Sequence, residues 1–146
     1  MAYTRTHASA VWFAGALSLA GCSHDYQLMK TEEQLNGYGA AIRWNLFKRA
    51  VAYLAAPPHP SPNWKYLDQM KVTGYKPTFR DLYPSGKVAT QTVEIKFIPP
   101  DSVVEKTIID EQRWHFDEAR DRWVLDTGLP KFQPAGASNP AYSLTP

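Results

Sequence analysis

The feature that most constrains this chain is the segment TEEQLNGYGAAIRWNLFKRAVAYLAAPP, Thr31 to Pro58. Leu35, Tyr38, Ile42 and Leu46 recur at three- and four-residue spacing, and Ala50 and Tyr53 continue that face. Trp44, Phe47, Val51 and Leu54 make a second stripe beside it. Thr31 is placed to cap the N-terminus, with Glu32 and Glu33 in the first turn where carboxylates suit the helix dipole. Pro57 and Pro58 stop the run, because proline lacks the amide that a helix interior needs. One long helix is therefore predicted. Its apolar arc is too wide for a single flat neighbour, so it asks for a sheet that embraces it. Gly37 and Gly39 weaken it locally and admit close approach of another backbone.

The rest of the chain supplies such a sheet. After the stiff connection PPHPSPNW the chain turns extended, with Val72 and Tyr75 to Leu82 as a first strand. Pro77 restricts that strand to an edge or a bulge. Tyr83 to Lys87 has turn composition. Val93, Ile95 and Phe97 then alternate with Thr92, Glu94 and Lys96, the pattern of a half-buried strand, and Ile98 to Ser102 breaks it. From about Val104 to Asp117, Glu111, Arg113, His115 and Asp117 share the solvent face. Ile108, Asp110, Gln112, Trp114 and Phe116 share the other. Glu118 to Asp121 reverses the chain into a last strand, RWVLD. The fold class is α+β: one long N-terminal helix wrapped by a curved antiparallel sheet of about four strands.

With 146 residues, 44% hydrophobic and 21% charged, the chain suits one globular domain. A formal net charge of +2 and the lack of a dense Lys/Arg run give no footing for a nucleic-acid partner. Cys22 is the only cysteine, which excludes an intramolecular disulfide and any cysteine-built metal cluster within one chain. His24, His59 and His115 have no metal-ligand spacing, so no metal or cofactor is expected. There is no glycine-rich phosphate loop and no nucleophile elbow.

The N-terminus reads as an export signal. Arg5 and His7 give a weakly basic start, and Ala8 to Ala20 is mostly apolar. That core is shorter than the about 20 residues a spanning helix needs and has signal-peptide proportions. The run ends Leu19-Ala20-Gly21-Cys22, which resembles the bacterial lipoprotein lipobox. The resemblance implies cleavage before Cys22, a diacylglyceryl thioether on its sulfur, and a palmitate-type chain on its new amino group. Several acyl chains then anchor the mature chain on a membrane without spanning it. Ser23 stands where an Asp would retain an enterobacterial lipoprotein at the inner membrane, which implies the periplasmic face of the outer membrane. The expected organisation is a signal peptide over 1–21, a lipidated tether over 22–30, a domain over 31–132 and a loose tail over 133–146.

A long helix, a short linker, a curved sheet and the closing hairpin EQRWHFDEARDRWVLDTGLP are together similar to the cystatin-like cone fold of nuclear-transport-factor-like and ketosteroid-isomerase-like domains. Catalytic members of that superfamily place a carboxylate and a tyrosine or protonated acid in an apolar cone. Here that implies Asp110 as base, with Tyr38 or Tyr75 supplying a phenol. Independently of the resemblance, Trp44, Gln112 and Trp114 are candidate pocket residues. The alternative is that Asp110 and Gln112 lie at a rim or sheet edge and are simply solvated, and that the aromatic residues are core. Two functions from different classes follow. One is a non-catalytic periplasmic binding or assembly module tethered by Cys22, meeting an envelope protein or a second copy. The other is a small isomerase or dehydratase with Asp110 as general base. A lipid carrier is a weaker third, since about four strands are too few to enclose an acyl chain.

Overall fold

The computed structural model describes residues 21–132. In chain order the elements are α1 (Gly21–Arg43), α2 (Phe47–Ala50), a 3-10 turn (Val51–Tyr53), α3 (Trp64–Gln69), β1 (Lys71–Leu82), β2 (Val88–Ile98), β3 (Lys106–Asp117) and β4 (Arg122–Leu125). The strands form one antiparallel sheet in the order β1-β2-β3-β4, so the chain is α+β with its helices ahead of a simple meander.

The predicted helix is interrupted. It ends at Arg43 rather than running on to the prolines, because Asn45 takes a left-handed conformation, φ 58°. The Asn45 amide bonds Ile42 O at 3.0 Å and the Leu46 amide bonds Ala41 O at 2.8 Å. That pair of bonds is a Schellman closure with Asn in the position glycine usually takes. The Asn45 side chain fixes the break in place: its Oδ1 accepts the Val72 amide at 3.0 Å and its Nδ2 donates to Met70 O. The periodic run is thereby split between two pieces. Leu35, Tyr38, Ala41 and Ile42 are buried on α1 and Phe47 and Ala50 on α2, while Trp44 and Leu46 at the break are exposed. The backbone of 22–30, expected as a tether, continues α1.

A second departure follows the proline-rich connection. Residues 64–69, expected as extended, form α3, capped by Asn63, whose Oδ1 accepts the Tyr66 amide at 3.1 Å.

The strands follow the alternation. Gln91, Val93, Ile95 and Phe97 are buried on β2, and Gln112 and Trp114 on β3, while Glu111 and Arg113 are exposed. β1 is an edge strand with register shifts at Val72/Gly74 and Pro77/Phe79, the second at the proline that cannot donate to a ladder. Tyr83 to Lys87 makes the β1–β2 turn, where Gly86 sits at φ 66°. The inner face meets α1, which lies against β1 and β4, and a bridge from Leu54 to Leu125 ties the 3-10 turn to the last strand. Trp114, Trp123, Tyr38 and Phe97 are fully buried between these layers.

Candidate functional site

Strand pairing brings four polar side chains together on the inner face. Gln112 stands opposite Gln91, Asp110 opposite Val93, and Arg80 opposite Gln91 from the other side. Tyr75, two residues before the proline bulge, extends over the same rows. Gln112 is the junction. Its Nε2 donates to Asp110 Oδ2 at 2.7 Å and to the Tyr75 hydroxyl at 3.1 Å. Its Oε1 accepts from Gln91 Nε2 at 3.0 Å and from Trp114 Nε1 at 3.3 Å. Gln91 Oε1 in turn accepts from Arg80 Nε at 2.8 Å. Arg80 reaches the surface, where Glu32 lies 3.9 Å from it. A continuous run of bonds thus leads from a surface guanidinium to the half-buried Asp110 carboxyl.

Burial raises the Asp110 pKa above the ordinary carboxylate value, and the Gln112 hydrogen bond opposes that shift. Burial pushes the Tyr75 phenol up to about 12; the Asp110 charge adds to this, while hydrogen bonds from Gln112 and Gln91 and the Arg80 charge act against it. Burial holds the Tyr38 phenol well above its ordinary value, with Asp110 and Tyr75 adding to the shift. Both phenols are therefore neutral donors at physiological pH. A carboxyl of raised basicity near two neutral phenols is a donor set suited to proton abstraction.

These donors are committed inward. The Tyr38 hydroxyl is 3.5 Å from Gly128 O, and its ring stacks edge-on against Trp114 at 5.4 Å between centroids. Over Tyr75 lies Gly39 of α1, so close that a β-carbon there would stand 2.6 Å from the tyrosine ring. An open groove of about 280 Å³ lies between α1 and β1, lined by Asn36, Gly39, Ala40, Arg43, Tyr75 and Pro77. Asp110 is not part of its lining. Tyr75 is common to groove and network, and Asn36 of the groove accepts from Arg80 Nη2 at 3.5 Å.

Of the residues singled out in the sequence, Asp110, Gln112, Trp114, Tyr38 and Tyr75 are brought together. Trp44 is not: it is 69% exposed at the end of α1, with the Arg43 guanidinium 5.3 Å over its ring, and it is not part of the groove's lining. The helix break at Asn45 turns it outward. Cys22 falls in the α1 backbone, and its side chain lies outside what is described, as do the signal residues 1–20 and the tail 133–146. Gln91 and Arg80 complete the network and were not singled out. Gln91 shares the parity of Val93, Ile95 and Phe97, so extending that alternation by one step would have found it.

Among the described residues no three metal-ligating side chains come together, and no helix is long and apolar enough to cross a membrane. The chain matches no protein-family model, no curated protein and no solved structure.

Proposed function

We propose that this chain is a lipid-anchored, non-catalytic binding or assembly module of the cell envelope, held through Cys22 at the periplasmic face of the outer membrane. The cone architecture, with the sheet curving round the helix, belongs to the same proposal. What supports an anchor is the order Leu19-Ala20-Gly21-Cys22 after an apolar run of signal length. What supports binding over catalysis is a single observation: the side chains around Asp110 satisfy one another, and α1 presses on Tyr75, so the polar cluster occupies its own interior. A hydrogen-bonded network of this kind, buried at Gln91 and Gln112, specifies packing.

The raised Asp110 carboxyl beside two neutral phenols favours the second reading, an isomerase-like site with Asp110 as general base. Ketosteroid-isomerase-like chemistry would require the network to open toward the groove. A phenol that mimics an oxyanion is the probe: no perturbation of Asp110 or Tyr75 resonances on its addition fits the binding module, and saturable perturbation fits the enzyme.

The anchor is tested by intact mass of the protein extracted from membranes, native and Cys22→Ala. The proposal expects cleavage before Cys22 plus acyl chains, both lost in the variant. An unmodified full-length mass would overturn it.

A further inference from the structure

The break between α1 and α2 leaves an indole in water. Among the described residues Trp114 and Trp123 are fully buried and Trp64 packs against the core, whereas Trp44 is 69% exposed. Leu46, two residues on, is 46% exposed. Both flank Asn45, whose side chain bonds the backbone of Met70 and Val72. The two apolar side chains thus sit where α1, α2 and the start of β1 meet. Specific bonds hold them outward, and the site is not a frayed helix end.

Charge gathers at the same place. From Arg43 to Val72 the chain carries five cations, Arg43, Lys48, Arg49, Lys65 and Lys71, and one anion, Asp68, while the whole chain is only +2. Arg43 donates from Nη1 to Val72 O at 2.8 Å, and its guanidinium lies over the Trp44 ring. Lys48 stands 3.7 Å from Asp68, which brings α2 beside α3. Lys48, Arg49, Lys65 and Lys71 are all exposed. Arg49 stands one turn beyond Leu46, and Lys71 lies between the two residues that Asn45 bonds. Arg49 and Lys71 have no ion-pair partner among the described residues. One indole and one leucine are too little for a stable protein interface, which takes about 20–30 residues a side. A bilayer needs no interlocking partner surface. It accepts apolar side chains singly, and indoles settle in its headgroup layer with cations beside them.

We propose that this pole of the molecule docks on an anionic lipid surface, with Trp44 and Leu46 entering the headgroup layer and the surrounding cations meeting lipid phosphates. The Arg43 guanidinium, stacked on the indole face, carries its charge into that layer beside the ring. Each basic side chain near such a surface strengthens docking about fivefold. The length of α1 sets Trp44 about 33 Å from Cys22, so an anchor at Cys22 does not by itself bring Trp44 to the surface. The docking goes beyond the proposed anchoring and does not depend on it.

The test places the full-length chain on vesicles of phosphatidylcholine alone or mixed equally with phosphatidylglycerol. Tryptophan emission of the native chain minus that of Trp44→Phe isolates Trp44. On the anionic vesicles that signal should shift to the blue, be quenched by lipids brominated on their acyl chains, and lose its quenching by aqueous acrylamide. On the neutral vesicles it should stay accessible to acrylamide, and added salt should return the anionic case to the neutral one. Lys48→Glu with Arg49→Glu should weaken docking at least about thirtyfold. Both residues are exposed, so the variant keeps the fold, which circular dichroism checks. Equal acrylamide quenching of Trp44 on the two vesicle types would overturn the proposal. So would lipid quenching that survives the double charge reversal. Acylation at Cys22 is read separately by mass, and its absence leaves each of these expectations unchanged.

Discussion

Asp110 is a carboxyl held in a place that favours its neutral form. Burial raises its pKa in the folded chain, so the folded state holds the proton more tightly than the unfolded one. Its contribution is therefore most favourable in acid, below its ordinary value of 3.8, and declines as pH climbs through the raised folded value. Asn at this position keeps an acceptor for Gln112 Nε2 and removes the charge. Asp110→Asn should melt higher than the native chain at neutral pH, with the difference closing in acid. Equal melting shifts at both pH values would refute the account. Gly39 is the second position where one atom decides. A β-carbon there would meet the Tyr75 ring at 2.6 Å, and that ring is held by Gln112. Gly39→Ala should cost about 1–3 kcal/mol in denaturant unfolding despite the better helix propensity of alanine.

At the scale of elements, the helix break governs what the N-terminal half presents. Asn45 both reverses the helix end and bonds the chain entering β1. Asn45→Ala removes those bonds and leaves a non-glycine residue without side-chain support at positive φ, which should cost about 2–4 kcal/mol. Asn45→Gly keeps the backbone geometry and loses only the bonds, so it should cost about 1–2 kcal/mol. Chemical denaturation of the two variants separates backbone strain from hydrogen bonding. The same break explains the exposure of Trp44: in an unbroken helix it would share a stripe with Phe47, which is buried on α2. Periodicity identified both stripes but could not register the angle introduced between them.

Across the whole molecule, the aromatic core joins the helix to the sheet. Trp114 is fully buried, stacks on Tyr38 of α1, donates to Gln112 of its own strand and stands opposite Leu125 of β4. Trp114→Ala should destabilise by about 3–5 kcal/mol, a large part of the about 5–15 kcal/mol available to a domain. Loss of cooperative thermal unfolding in that variant, read by near-ultraviolet circular dichroism, is the expected result. Unchanged unfolding would mean that helix and sheet are not held by this contact.

The sequence alone determined what depends on local chemistry. The α+β class, the turn at Tyr83 to Lys87, the edge position of β1 and the inward parity of Asp110, Gln112 and Trp114 follow from alternation, proline and glycine placement, each set within a few residues. The lipobox reading is of the same local kind, though it concerns processing rather than folding. Tertiary structure decided the rest. Asn45 could leave helical space because Met70 and Val72, distant in sequence, supply partners for its side chain. Gln91 joins the Asp110 cluster through register across two strand pairs, which no single segment encodes. Whether that cluster is an open site or a closed one turned on Gly39 and Tyr75 meeting across the core. Such meetings are set by the packing of whole elements, and a linear reading sees only one side of each.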